Sequence, residues 1–220
     1  MSKQILVIGC GRFGSAVART LAQGGHEVVV ADHDEVALRT VMDEVAHAAV
    51  VDATDEEALR RLGVANFDTV VVAIATDFEA GVLTTVAAKS AGAEHVVAKA
   101  TTATAARVLL RVGADEVVRP EHDMGVRLAQ QIATPSIVDA FMLGDEHEVV
   151  EVDVGTQEAM HGRLSKLRLP NRFGVQVIAV NRGGKLTVSP GADFEVQVGD
   201  RVVVIGEIDA VRRFERELER

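Results

Sequence analysis

Apolar and polar positions repeat one unit along the first 133 residues. A short apolar run gives way to a polar turn, then to an amphipathic stretch, then to glycine. The runs fall at 5–8, 28–31, 48–51, 69–74, 95–98 and 116–119. Most are unbroken rather than alternating, the pattern of parallel strands covered on both faces. After the first run, Phe13, Ala16, Val17 and Leu21 recur at helical spacing and predict one helix face. Gly24, Gly63, Gly92 and Gly113 each close such a stretch, where a left-handed cap is wanted. Thr54 with Glu57 and Thr76 with Glu79 have capping-box spacing at two helix starts. Strands alternating with helices in this way predict a Rossmann-like, doubly wound parallel sheet of order 3-2-1-4-5-6 over residues 1–133.

The pattern changes after Ala133. Thr134-Pro135-Ser136 can end one helix and cap another, and Ile137, Val138, Phe141 and Met142 then give an apolar stripe. The segment 134–144 is therefore expected to be a short helix and linker, covering its own sheet or crossing to a second subunit. From 145 to 220 the pattern is antiparallel. Val150, Val152 and Val154 alternate with acids, and Asn181-Arg182-Gly183-Gly184 forms a hairpin turn between two apolar runs. Phe194, Val196 and Val198 alternate again, and Ile208, Val211, Phe214 and Leu218 share a closing helix face. This predicts a small α+β C-terminal lobe.

Composition narrows the function. Nearly half the chain is apolar, yet Trp and Tyr are absent, so Val and Ala must build the core. The net charge of −10 makes nucleic acid and anionic lipid poor partners. No apolar run approaches the roughly 20 residues that span a bilayer, so no direct membrane insertion is expected. The chain is in a strand by Ile5 with no basic segment ahead of it, so no signal peptide is expected. The single cysteine, Cys10, excludes an intrachain disulfide and reads as a small buried filler. The seven histidines show no zinc-ligand spacing, and no nucleophile elbow appears.

The chemistry concentrates where the first strand ends. Gly9, Gly11 and Gly14 form G-x-G-x-x-G between a strand and a helix, so backbone N–H groups and a helix dipole can receive phosphate. Asp32 follows the second strand at the spacing that suits ribose hydroxyls. Asp52, Ala53 and Thr54 close the third strand, beside an adenine position, though a turn acid and a helix cap explain them equally. Ala75 and Thr76 end the fourth strand on the same edge, and Thr76 also reads as a cap. Arg12, inside the motif, would gain from a phosphate, and Lys99 ends an apolar strand where an anion or solvent must satisfy it. Glu121 follows Pro120 at a helix start, where a carboxylate is favoured electrostatically.

These residues carry a resemblance. GCGRFGSAVA at 9–18, VDATDE at 51–56, VAKA at 97–100, RPEHDMGVRLA at 119–129 and VGDRVVVIG at 198–206 resemble the KtrA/TrkA-type RCK family, regulators of potassium conductance. The resemblance covers essentially the whole chain and lies closest to the KtrA type. It implies a non-enzymatic cytoplasmic gating subunit, peripheral to the membrane, that binds ATP or ADP and docks on a KtrB-like potassium-transport subunit. Homodimers would assemble into an octameric ring, with 137–143 as a crossover helix in the dimer. By the same resemblance Gly9, Gly11, Phe13 and Gly14 form the phosphate turn, Arg12 meets the terminal phosphate, and Asp32 holds the ribose. Asp52, Ala53 and Thr54 flank adenine, Ala75 and Thr76 line the switch point, and Lys99 lies near the phosphates. Glu121 helps hold a cation such as Mg or Na at the triphosphate, of its own or of a neighbouring subunit's nucleotide. Some members bind cyclic di-AMP in the C-terminal lobe, where Arg168, Asn171, Arg172 and Phe173 offer suitable residue types and equally suit a polar loop.

Overall fold

The computed structural model describes residues 2–133, 137–144, 146–155 and 160–218. The chain divides into two compact units, Met1–Asp123 and Met124–Arg220.

The first unit alternates strand and helix from β1 (Gln4–Ile8) and α1 (Arg12–Gln23) through β2 (Glu27–Asp32), α2 (Glu35–Leu38), β3 (His47–Val50) and α3 (Glu56–Leu62). It continues through β4 (Thr69–Val72), α4 (Phe78–Ser90), β5 (Val96–Lys99), α5 (Ala103–Arg111) and β6 (Glu116–Val118). The sheet order is β3-β2-β1-β4-β5-β6, as the alternation predicts. Every pairing is parallel. The unbroken Val-rich runs are explained by burial on both faces: Leu6 and Ile8 pack in one cluster, Ile5 and Val7 in the other. The order reverses between β2-β1 and β4, which leaves a crevice at the carboxyl ends of β1 and β4.

Helix ends differ from the expectation in instructive ways. Asp55 caps α3 and Asp77 caps α4, each accepting a backbone N–H, so neither capping box on Thr54 or Thr76 forms. The Asp side chain reaches the helix N–H groups from one residue later and leaves both threonines free for other work. Gly63, Gly92 and Gly113 adopt positive φ as predicted, but after α1 the left-handed residue is Gly25, with Gly24 still right-handed. Gly14, Ser15 and Ala18 are the buried residues of α1, with the predicted Val17 and Leu21 packed beside them, while Phe13 and Ala16 do not join that face. Small residues there let the helix start sit directly against the glycine turn.

α6 (Pro120–Ala133) begins in the first unit and ends in the second. The second unit then holds β7 (Ile137–Leu143), β8 (His147–Asp153), β9 (Gly162–Arg163), α7 (Leu164–Leu167), α8 (Leu169–Phe173), β10 (Val175–Arg182) and β11 (Lys185–Val188). It closes with β12 (Glu195–Val196), β13 (Arg201–Glu207) and α9 (Ile208–Leu218). Five strands form an antiparallel sheet, β11-β10-β13-β8-β7, and β12 pairs with β9. Gly183 and Gly184, both at positive φ, make the two-residue hairpin turn. Val211, Phe214 and Leu218 of α9 pack with Val150, Val152 and Val204 in a separate core.

The expected crossover helix is corrected: 137–143 is a strand, paired antiparallel with β8 from Ile137↔Val152 to Leu143↔His147. Apolar residues at i, i+1, i+4 and i+5 fit a helix stripe and a strand alike. Ile, Val and Phe favour the pleated surface, and the open edge of β8 supplies the hydrogen bonds that decide it. The linker residues 134–136 of that expectation lie outside the described residues.

Candidate nucleotide site

The crevice at the switch point is a cavity of about 860 Å³. Its floor is the turn after β1. Gly9 sits at φ +98°, where an L side chain is strained, and an added Cβ would press on Ile74 at 3.1 Å. Gly11 is the N-cap of α1, and a Cβ there would meet nothing within 4 Å, because the position faces open cavity. Gly14 lies behind the turn: a Cβ would overlap the Gly9 carbonyl oxygen. Gly9, Gly11, Arg12 and Phe13 thus line the cavity, while Gly14 supports it from outside.

α1 also differs from its neighbours at its start. Asp34, Asp55, Asp77 and Thr102 each accept a backbone N–H at the N-termini of α2, α3, α4 and α5. α1 has no side-chain cap and no acidic residue in its first turn. Its free N–H groups and positive dipole end therefore face the cavity uncompensated.

Asp32 ends β2 and braces the turn. One carboxylate oxygen accepts the Cys10 N–H at 2.6 Å, and the other accepts the Asp34 N–H at 2.8 Å. The Cys10 thiol fills the space behind, donating to the Ala37 carbonyl at 3.3 Å, and burial pushes it up from its ordinary pKa. Beyond β3, Asp52 accepts both the Thr54 hydroxyl at 2.7 Å and the Thr54 N–H at 3.0 Å. Those bonds, the hydroxyl's first, hold the Asp52 carboxyl below its usual range. Asp52, Ala53 and Thr54 form one wall, and Ala75 and Thr76 another.

The far end of the cavity is charged. Lys99, at the end of β5, has only 12% of its side chain exposed and lies 2.6 Å from Glu121 Oε1 in the first turn of α6. Its ammonium also sits 5.3 Å from the centre of the Phe13 ring. The Lys99 hydrogen bond holds the Glu121 carboxyl below its usual range, and the more distant Arg12 charge adds to this. Every residue predicted from sequence for this site except Gly14 thus lines one cavity.

Sequence reasoning missed Thr84 and Thr101. Thr101 lies just past β5 on the carboxyl edge, a position the fold rule could have marked. Thr84 gives no signal: it sits mid-helix in an apolar stretch. Its neighbour Thr85 bonds back to the Gly81 carbonyl, whereas the Thr84 hydroxyl is buried with no protein partner. A buried hydroxyl lining a cavity can serve a ligand or a water.

In the second unit two of the four residues expected at a cyclic dinucleotide, Arg172 and Phe173, are engaged within the lobe. Arg172 lies over the Phe173 ring and pairs with Glu217 at 3.1 Å, and Phe173 packs edge-on against Phe214. Arg168 adopts a left-handed backbone between α7 and α8.

Comparison with known proteins places this arrangement. The TrkA-N domain model matches residues 5–120 and the TrkA-C domain model residues 149–219. The chain belongs to the Trk/Ktr family of potassium uptake proteins. Ktr system potassium uptake protein C of Bacillus subtilis (strain 168) is 36% identical over 216 residues, spanning 98% of this chain and 97% of that protein. Ktr system potassium uptake protein A of Vibrio alginolyticus is 36% identical, spanning 94% of each. Among solved structures, the GsuK channel bound to NAD matches this Trk/Ktr chain with a TM-score of 0.70 at 16% identity, over 99% of this chain and 40% of that one. GsuK bound to ADP matches with a TM-score of 0.54 at 20% identity, over 62% of this chain and 36% of that one. These structural likenesses are to the fold.

Proposed function

We propose that the chain is a cytosolic regulatory subunit that binds ATP and ADP and gates a KtrB-like potassium-transporting membrane partner. The observation that carries this is the charged end of the cavity. Arg12, Lys99 and Glu121 converge there, on the opposite side of the glycine turn from Asp32 and the Asp52–Thr54 wall. A nucleoside spanning from that wall to the turn would direct its distal phosphates at the cationic side chains. ATP reaches further than ADP by one charged group, and a ligand shifts a conformational equilibrium only by its differential affinity for the two states. A contact made by the terminal phosphate alone provides that difference.

A divalent or monovalent cation fits this end. Among the described residues no three His, Cys, Asp or Glu converge as a metal-holding group. One carboxylate beside a triphosphate is the usual arrangement for Mg²⁺, which takes its other ligands from phosphate and water. Glu121 would be that carboxylate, and the ion would neutralise phosphate charge. The expectation of cyclic di-AMP is carried by the resemblance alone.

Assembly is part of the reading. Met124, Val126 and Leu128 of α6 and Phe141, Met142 and Leu143 of β7 are exposed in the second unit. Apolar surface of that extent is what dimers and an octameric ring would cover. No described helix is long and apolar enough to cross a membrane.

Equilibrium dialysis with ATP, ADP and NADH tests the ligand. ATP and ADP should bind more tightly than NADH; NADH binding far more tightly than both would favour a nicotinamide-dependent oxidoreductase. Co-purification with the co-expressed transporter subunit tests the target. No association with either nucleotide present would leave a soluble nucleotide-binding adaptor.

A further inference from the structure

Lys99 presents an electrostatic problem that the protein solves internally. Its side chain is mostly buried among the ends of β5 and α1, where an unpaired ammonium is costly. Glu121 supplies the counter-charge at 2.6 Å, reaching in from a side chain that is 66% exposed. The Phe13 ring, at 5.3 Å, supports the ammonium from another side. One partner is thus fixed at the end of a strand and the other stands on an exposed helix start. The same ammonium lines the cavity, as do the free N–H groups of α1.

Building on the nucleotide reading above, we infer that the Lys99–Glu121 ion pair is an autoinhibitory latch in which Glu121 occupies the place of the ligand's distal phosphate. A phosphate that reaches Lys99 competes with the Glu121 carboxylate for the same ammonium, on the side from which the cavity opens to it. The apparent affinity for the distal phosphate is then lowered by the fraction of molecules whose latch is closed. Displacement also changes what Glu121 does. While paired, its carboxylate is neutralised by Lys99; once released, it is an exposed anion beside bound phosphate. A cation is required there to offset the repulsion, so nucleotide and cation binding become coupled through one side-chain movement. A nucleotide with no distal phosphate leaves the latch closed and has no such coupling.

The test is calorimetric titration of AMP, ADP and ATP in EDTA, so that no divalent cation takes part. Wild type, Glu121→Gln, Lys99→Gln and the double variant are compared, each checked for folding by circular dichroism. Glu121→Gln should tighten ATP by about fivefold, the scale of one partly exposed ion pair, and leave AMP unchanged. In the Lys99→Gln background the same change should tighten ATP clearly less, since there is no latch to open and only the repulsion between Glu121 and phosphate is relieved. With Mg²⁺ present Glu121→Gln should lose its advantage over wild type.

Two outcomes overturn the latch while leaving nucleotide binding intact. One is unchanged or weaker ATP binding by Glu121→Gln in EDTA. The other is equal tightening with and without Lys99, which would show simple repulsion of phosphate by Glu121. If neither ATP nor ADP binds wild type or any variant, the nucleotide reading itself fails and the latch falls with it.

Discussion

The second and third glycines of the motif, Gly11 and Gly14, hold opposite positions. An alanine at 14 would drive its Cβ into the Gly9 carbonyl oxygen, which is backbone and cannot move aside. Gly14→Ala should therefore lose roughly 3 kcal/mol or more in urea unfolding, the range of severe overpacking. Alanine at 11 meets nothing within 4 Å, and its φ of −71° suits any residue. Gly11→Ala should unfold within about 0.5 kcal/mol of wild type. Its methyl would nevertheless stand where phosphate must approach backbone, so ATP and ADP should both bind at least about tenfold more weakly in dialysis. Arg12→Ala should separate the two nucleotides: about tenfold loss for ATP, the scale of one charged hydrogen bond, and little for ADP. Equal loss for both would show that Arg12 does not read the terminal phosphate. Much of this site was legible because a β-α-β unit fixes where strand ends fall, so spacing alone brought Gly9, Asp32 and Asp52 together. Thr84 was not legible, since its place depends on how α4 lies against the sheet. Nor was the Lys99–Glu121 pair, because spacing puts both residues on the carboxyl edge but does not say whether a strand-end lysine turns to solvent or to the first turn of α6.

Among the elements, helix starts show why local patterns misassign work. Thr54 with Glu57 satisfied a capping box by spacing, yet Asp55 is the cap of α3 and Thr54 is bound to Asp52. Asp55→Ala should cost about 1 kcal/mol in urea unfolding, whereas Thr54→Ala should remove no cap. β7 makes the complementary point. Its stripe of four apolar residues carried too little periodicity to separate helix from strand, and only the unpaired edge of β8 resolved it. In the second unit a buried carboxylate and a half-exposed arginine tie elements together. Asp200 is 1% exposed, accepts the Gln197 N–H at 2.9 Å and receives two bonds from Arg182 at 2.7 Å. Arg182 chiefly, then the Gln197 N–H, hold its carboxyl below the usual range against the cost of burial. A depressed carboxyl stabilises the fold above its unfolded pKa of about 3.9, and that contribution disappears as pH falls through the lower folded value. Asp200→Asn should lower stability at neutral pH by about 2 kcal/mol and flatten the acid side of the stability profile. A parallel loss in both proteins below pH 4 would assign acid sensitivity elsewhere.

At the scale of the whole molecule, two units with separate apolar cores share one continuous element. Leu6, Ile8 and Val72 pack in the first unit, and Val150, Val204 and Phe214 in the second. α6 starts with Pro120 and Glu121 beside the cavity and runs to Ala133, past the division at Asp123. Helical hydrogen bonding is cooperative, so ordering its first turn favours the turns that follow. A ligand that recruits Glu121 to a cation and phosphate would therefore act on a helix whose other end belongs to the second unit. Amide hydrogen exchange with ADP and with ATP–Mg²⁺ gives this a measurable form. Both nucleotides should slow exchange in the glycine turn and the start of α1, because both place phosphate there. ATP–Mg²⁺ should additionally slow exchange along α6 beyond Met124, and Glu121→Gln should abolish that extension while keeping protection of the turn. Protection that stops within the first turn of α6 under every condition would mean that the signal leaves the site by another route. The distinction matters because tight binding alone shifts no equilibrium; only a contact that differs between the two nucleotides can make the chain report which one it holds.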